Sequence, residues 1–259
     1  MSTIALLTDF GLDDWYVGVM KGVALRINPS ASLVDVTHAV APGNVREGAF
    51  VLMNSFSWFP EGAVFCVVVD PGVGSERKIV VAQTSQYSFV APDNGVLSFV
   101  LDKYPDSRIY SFDNRHYALP QTSATFHGRD IFAPAAAHLS RGIPPEMMGA
   151  VQTGYVRLER YSPVCTRSGV EGTIEYIDRF GNAITSIEPG HIDTLEKDSL
   201  PVVNAGKGNA IPLCRWYRQV PAGAPLALIG SSGFLEVSIN GGNAADRLEL
   251  KVGDRVTVQ

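Results

Sequence analysis

The chain has 259 residues, 46% of them hydrophobic and only 18% charged, enough to bury a substantial core and far from the profile of disorder. Its formal net charge of -5 is spread without a block of Lys or Arg, so neither nucleic acid nor an anionic membrane is an expected partner. Three widely spaced cysteines, Cys66, Cys165 and Cys214, form no CxxC pair and point to neither a disulfide framework nor a zinc site.

Met1 to Leu7 has no basic stretch before its apolar residues and no cleavage signal after them. No window approaches the roughly 18 apolar residues of a membrane span, and the cytoplasm is the expected location. Apolar Ile4 to Leu7 predicts a strand, Tyr16 to Ile27 an amphipathic helix, Leu33 to Val36 a second strand and Val45 to Trp58 a second helix. Solidly apolar Ala63 to Val69, which includes Cys66, predicts a central strand buried on both faces. Strands over Ile79 to Gln83 and Tyr87 to Ala91 and a helix over Asp130 to Leu139 follow. This rhythm gives a layered α/β domain with a mostly parallel sheet.

From about Gly142 to Gly169 the pattern breaks into Pro, Gly and mixed charge. The expected division is an α/β domain over residues 1–155, a linker over 156–169 and a smaller domain over 170–259. There the short apolar runs Thr173 to Ile177, Ile184 to Ile187, Leu226 to Ile229, Leu235 to Ile239 and Arg255 to Val258 are separated by Gly, Asn and Asp. That texture predicts an antiparallel β barrel or sandwich.

Candidate site residues lie where strands end, because ligands of open α/β sheets bind at the carboxyl ends of strands. Asp9 ends the first strand within Thr8-Asp9-Phe10-Gly11, where it would meet a ligand or equally cap the next helix. Asp70 ends the central strand and is followed by Pro71-Gly72-Val73-Gly74, with Arg77 close behind. The alternative is that Asp70 stabilises that turn and Arg77 is a surface charge. Ala91-Pro92-Asp93-Asn94-Gly95 suits ordinary turn chemistry. His127, in Thr125-Phe126-His127-Gly128-Arg129-Asp130, precedes a helix, where a neutral imidazole exchanges protons near pH 7; a lone histidine is also often structural. His38 should line the same sheet edge. Asp178 and Asn182, Trp216 and Tyr217, Gly230 to Gly233 and Asn240 to Asn243 offer a carboxylate, amides, hydroxyls and an aromatic face suited to an amino-acid-bearing nucleoside. They also read as hairpin turns with one packed tryptophan.

Together these strings resemble one family. Leu7-Thr8-Asp9-Phe10-Gly11 with Tyr16 to Gly22, Val69 to Gly74, Ala91 to Gly95, Thr125 to Asp130, Asp178 to Asn182 and Gly242-Asn243-Ala244 stand in the order found in the S-adenosylmethionine hydrolases that form adenosine, the SAM hydroxide adenosyltransferases. The resemblance implies a larger α/β domain, a smaller β domain, and a homotrimer whose sites lie between one subunit's first domain and a neighbour's second. It implies that Asp70, Arg77 and His127 handle the attacking water, Asp9 holds the ribose hydroxyls, and Trp216 and Asn182 lie near the adenine. Asp178 is expected to take the methionine ammonium and Ser231 its carboxylate, with Gly241 among the substrate-binding positions. Ser232 departs from the arginine of the related fluorinase. The fluorinase and chlorinase enzymes carry an aromatic residue where this chain has Asp70, a carboxylate that repels halide and accepts a hydrogen bond from water. Gly128 is shared with the chlorinase and does not discriminate. No cofactor and no metal are expected. The rival readings are halide transfer to the same carbon, a metal phosphohydrolase built on Asp9, Asp70, Asp93 and His127, and a binding protein without turnover.

Overall fold

Alternation along the first strand, β1 (Thr3–Thr8), sets the layering of the N-terminal part of the chain. Ile4 and Leu6 join the apolar cluster on one side, and Ala5 and Leu7 join the cluster on the other. The computed structural model describes residues 2–166, 168–193, 195 and 201–259. The chain divides into two units, Met1–Glu159 and Arg160–Gln259.

In the first unit, β1, β2 (Ser32–Thr37), β3 (Val64–Val68), β4 (Ile79–Gln83), β5 (Ser88–Pro92) and β6 (Arg108–Ser111) form a mixed sheet in the order β2-β1-β3-β5-β4-β6. The pairs β1 with β2, β1 with β3 and β3 with β5 are parallel, while β4 runs antiparallel to both of its neighbours. All five residues of β3 are buried, as expected of a central strand covered on both faces. Thr8 pairs with Val68, so Asp9 and Asp70 leave neighbouring strands at one edge of the sheet. Helix α1 (Tyr16–Ile27) packs through Met20, Val23 and Ala24 into one cluster, and α2 (Val45–Ser55) packs through Leu52 into the other.

Two predicted helices end or begin differently. The stretch expected to be helical to Trp58 leaves α geometry at Ser55 and finishes as a 3-10 turn over Phe56–Trp58. The Ser55 hydroxyl donates to the Val51 and Leu52 carbonyls and competes with the helix's own bonds. The short α3 (Ser98–Leu101) precedes β6, and the helix expected from Asp130 starts earlier, as a π turn over Gly128–Phe132 that runs directly into α4 (Ala133–Ser140). Pro134 has no N–H to give the Asp130 carbonyl four residues back, and the Leu119 amide takes that carbonyl instead, at 2.8 Å. The sequence reading passed over β6, a four-residue strand at the sheet edge.

The second unit is a nearly closed antiparallel barrel. It contains β7 (Val164–Thr166), β8 (Gly169–Ile177), β9 (Ala183–Thr185), β10 (Val202–Ala205), β11 (Gly208–Pro212), β12 (Pro225–Ile229), β13 (Leu235–Ile239) and β14 (Arg255–Val258). The path runs β11-β10-β14-β8-β9-β13-β12, with β7 added beside β8. A bridge from Leu213 to Ala227 draws the two ends of the path together. Its core gathers Val170, Ile174, Val203, Leu235, Val237 and Val256. No helix among the described residues is long and apolar enough to cross a membrane.

Cys66 lies wholly buried in β3, and burial pushes its thiol up to about 12, whereas Cys165 is exposed. A thiol reagent added to native protein is therefore expected to label Cys165 rapidly and Cys66 only after denaturation. Peptide mass mapping checks this; fast native labelling of Cys66 would contradict a central β3.

Candidate active site

Asp9 does not cap α1, whose N-cap residue is Trp15 and makes no side-chain cap bond. Its Oδ2 instead accepts the Gly43 amide at 2.7 Å, and the Gly11 amide reaches the His38 carbonyl at 2.8 Å. Behind this strand end, buried Thr8 and His38 meet at 2.8 Å through Oγ1 and Nδ1. His38 Nε2 stands 3.0 Å from Asp35 Oδ1, close enough for an ion pair although off the direction of a hydrogen bond. Lys21 closes the row on Asp35 Oδ2 at 2.6 Å. Thr8 Oγ1 also accepts the Phe10 amide, so the row braces the turn that carries Asp9.

Asp70, Arg77 and His127 converge. The Arg77 Nε lies 3.0 Å from both Asp70 oxygens, and Nη2 lies 2.5 Å from Oδ2. The same Nη2 lies 2.8 Å from His127 Nδ1. The Asp70 and Arg77 side chains are 4% and 11% exposed, so this pair is held away from bulk water and not at the surface. Arg77 also sits over the Phe132 ring, 5.5 Å from its centroid, and Phe132 belongs to the π turn. Gly74 makes the convergence possible: it has φ +78°, and a Cβ there would lie 2.3 Å from the Ala124 carbonyl oxygen. The loop after β3 therefore lies directly against the segment before His127 only because residue 74 has no side chain.

Arginine has no acceptor and does not lose its proton, so Nδ1 of His127 accepts from Nη2, and a neutral ring carries its proton on Nε2. Burial, then the neighbouring Arg77 charge, hold His127 below the ordinary imidazole range against the opposing pull of Asp70. Wholly buried Asp130 anchors the segment by accepting the Ser123 amide at 2.7 Å and Arg129 Nε at 2.6 Å. Phe10, Tyr16 and Phe126 form an aromatic wall, and a Cβ on Gly128 would press on Phe10, Phe126 and Met20 at 3.1 to 3.2 Å. The Asp93-Asn94 segment serves as bracing: Asn94 Nδ2 donates to the Val69 carbonyl at 2.8 Å, and Asp93 accepts the Val156 amide. Among the described residues no three His, Cys, Asp or Glu side chains are grouped to hold a metal ion.

In the second unit a cavity of about 460 Å³ is lined by Phe180, Asn182, Tyr217, Ile239, Gly241 and Gly242. Asn182 and Gly241 are thus brought to one place, and Asp178 is tied to Asn182 by bonds to its amide and to its side-chain nitrogen, both 2.9 Å. Trp216 stands exposed outside that lining, and Ser231 is exposed on the Gly230–Gly233 turn. The sequence singles out neither Phe180, which lines the cavity, nor Glu236, which accepts the hydroxyl of the cavity-lining Tyr217. Phe180 is 76% exposed at a turn, which composition does not mark. Glu236 alternates with Leu235 and Val237, the pattern of a solvated strand face, yet all five residues of β13 are buried.

Two family sequence profiles match the chain: the SAM hydroxide adenosyltransferase N-terminal domain over residues 4–149 and the corresponding C-terminal domain over residues 172–257. An (R)-S-adenosyl-L-methionine hydrolase of Thermus thermophilus is 41% identical, over 98% of each chain. A fluorinase of an Actinoplanes species is 29% identical, over 98% of this chain and 96% of that one. The crystal structure of a conserved Thermotoga maritima protein superposes with a TM-score of 0.92 at 41% identity, covering 98% of this chain and 99% of that one.

The contacts of His127 give a signed prediction. In an NMR titration its imidazole should change charge below about 6.5, the ordinary histidine value. Arg77→Gln removes a repelling cation and should move the midpoint upward, whereas Asp70→Asn removes an attracting anion and should move it further down. Shifts in the same direction for both variants would contradict the arrangement.

Proposed function

The chain belongs to the SAM hydroxide adenosyltransferase family, and from that premise we propose that it hydrolyses S-adenosyl-L-methionine to adenosine and L-methionine by in-line attack of water on the ribose C5′. The observation that carries the reading is the convergence of Asp70, Arg77 and His127, fifty-seven residues apart at the extremes, into one bonded group beside the strand end that bears Asp9. The name of the Thermus thermophilus relative specifies the R configuration at sulfur, and we propose the same preference here.

The chemistry asks little of a general acid. As the water oxygen bonds to C5′, the bond from C5′ to sulfur breaks, its electron pair stays on sulfur, and methionine departs as a neutral thioether. The enzyme's task is to place the water and receive its proton. Positioning of this kind supplies up to roughly 7 to 11 kcal/mol in favourable cases. His127, with Nδ1 engaged by Arg77, presents an N–H at Nε2 and serves as a donor that orients the water oxygen. Asp70 keeps lone pairs beyond those used by Arg77 and is the group left to accept the proton, an assistance worth about a hundredfold to ten-thousandfold. Asp9 is suited to the ribose hydroxyls. No cofactor or metal enters these steps, since a neutral leaving group needs no Lewis acid.

The triad belongs to the first unit and the cavity around Asn182 to the second. We propose that a homotrimer completes each site, one subunit supplying the triad and a neighbour the cavity. Exposed Leu12, Trp15, Phe180 and Trp216 are the kind of apolar surface that association covers. Three free cysteines suit the cytoplasm.

Incubation with S-adenosylmethionine in oxygen-18 water should place the label in the 5′-hydroxyl of adenosine; unlabelled adenosine would reject hydrolysis at C5′. Asp70→Ala and His127→Ala should each lower kcat by roughly a hundredfold or more while binding adenosine as the native protein does. Light scattering should give the mass of three chains, and a monomer with full activity would refute the shared site.

A further inference from the structure

Asp35 and His38 are three residues apart, so an uninterrupted strand would point their side chains to opposite faces. The end of β2 breaks that alternation: Leu6 pairs with Asp35 and Leu7 with Thr37, so β2 contributes one residue more than β1 at this step. With that irregularity the His38 ring stands against Asp35, Nε2 lying 3.0 Å from Oδ1. The ring is 2% exposed, and its other nitrogen, Nδ1, meets the oxygen of wholly buried Thr8 at 2.8 Å. Thr8 Oγ1 in turn accepts the Phe10 amide, which belongs to the peptide unit that follows Asp9. One residue further on, Gly11, at φ +68°, gives its amide to the His38 carbonyl at 2.8 Å. The ring through Thr8 and the main chain directly thus both reach the turn that sets the direction of the Asp9 carboxylate.

We propose that His38 is a positioning residue for ribose recognition: it orders the Thr8 hydroxyl and, through the Phe10 amide, the turn that aims Asp9 at the two ribose hydroxyls. The assignment rests on the reading of Asp9 as the ribose receptor. The bonds fix where the hydrogens lie. Among the described residues His38 Nδ1 is the one acceptor within bonding distance of the Thr8 hydroxyl, and a buried hydroxyl keeps its hydrogen bonded. Nδ1 therefore accepts, and a neutral ring carries its proton on Nε2, the nitrogen that faces Asp35. Lys21 holds Asp35 in place from the far side at 2.6 Å. On Asp9, the Gly43 amide already takes Oδ2 at 2.7 Å, while Oδ1 accepts no bond among the described residues. The vicinal hydroxyls of a ribose are fixed on one small ring, so the carboxylate receives both from one orientation only. Tilting the peptide after Asp9 would lose one of them.

Calorimetry with adenosine and with 2′,3′-dideoxyadenosine, which lacks both hydroxyls, tests this without turnover. Thr8→Val keeps the shape of the side chain and removes its hydroxyl, and His38→Leu fills the space of the ring and removes the acceptor. Each should weaken adenosine binding about three- to tenfold, the worth of one ordinary hydrogen bond, and change dideoxyadenosine binding by less than about twofold. Thr8→Ser, and His38→Asn with its amide oxygen in the place of Nδ1, should return adenosine binding to within about twofold of native. In an Asp9→Ala background His38→Leu should have no further effect, because it acts through Asp9. In the native protein, nitrogen-15 NMR of the imidazole should show the proton of the neutral His38 ring on Nε2; a proton on Nδ1 would overturn the assignment. So would equal weakening of both nucleosides, unchanged binding of both, or full additivity with Asp9→Ala. Native protein that prefers adenosine in this way, loses the preference in His38→Leu and yet forms no adenosine from S-adenosylmethionine would defeat the hydrolase reading and leave the role of His38 standing.

Discussion

Arg77 places one planar cation against three neighbours, the Asp70 carboxylate, the His127 imidazole and the Phe132 ring, and the reactive edge of the first unit depends on it. Removing one partner of a buried ion pair typically costs about 3 to 5 kcal/mol, mostly through the charge left behind. A lysine would supply charge without the fork that meets both carboxylate oxygens and the imidazole nitrogen together. The contact with Phe132 ties the cation to the π turn that begins next to His127, so the triad and the helix start are one construction.

That construction is possible because the backbone has already brought the pieces together. Parallel pairing of β1 with β3 delivers Asp9 and Asp70 to one edge, and the loop after Asp70 can touch the segment before His127 only with glycine at position 74. Pro134 releases the Asp130 carbonyl to the Leu119 amide, and the Asp130 carboxylate holds Ser123 and Arg129. Irregular backbone at a site is supported here by named hydrogen bonds on every side.

Those features divide what the residues announce from what they conceal. Apolar runs that end in Asp9 and Asp70 are readable because burial on both faces leaves a continuous signal and a carboxylate interrupts it abruptly. The pairing of Arg77 with His127 spans fifty residues and depends on a loop contact, for which no local pattern exists. Pro134 marks a break, but which turn precedes it depends on Leu119, far away in sequence. In the second unit, β10 and β11 carry few strongly apolar residues and a glycine turn, so they blend into the loops around them. Glu236 is the hardest to read: alternation with Leu235 and Val237 describes a half-solvated strand, whereas every residue of β13 is buried and Tyr217, distant in sequence, bonds to the Glu236 carboxylate.

The charge balance of the triad supports the proposal that water, and not a halide, is the nucleophile it receives. With His127 held below the ordinary imidazole range, the group carries one negative charge, one positive charge and a neutral ring near pH 7. At an effective dielectric of about 20, unit charges 4 Å apart interact by about 4 kcal/mol. An anion beside Asp70 would meet a repulsion of that order, offsetting much of what Arg77 offers. Water meets no such penalty, because it donates to the carboxylate and accepts from the imidazole N–H in one orientation. In the proposed attack, as the water oxygen bonds to carbon and its protons become acidic, Asp70 would gain in attraction for the departing proton while Arg77 stays fixed by its contacts. On that proposal, the residues that hold the nucleophile before reaction are also those whose charges match its change during reaction.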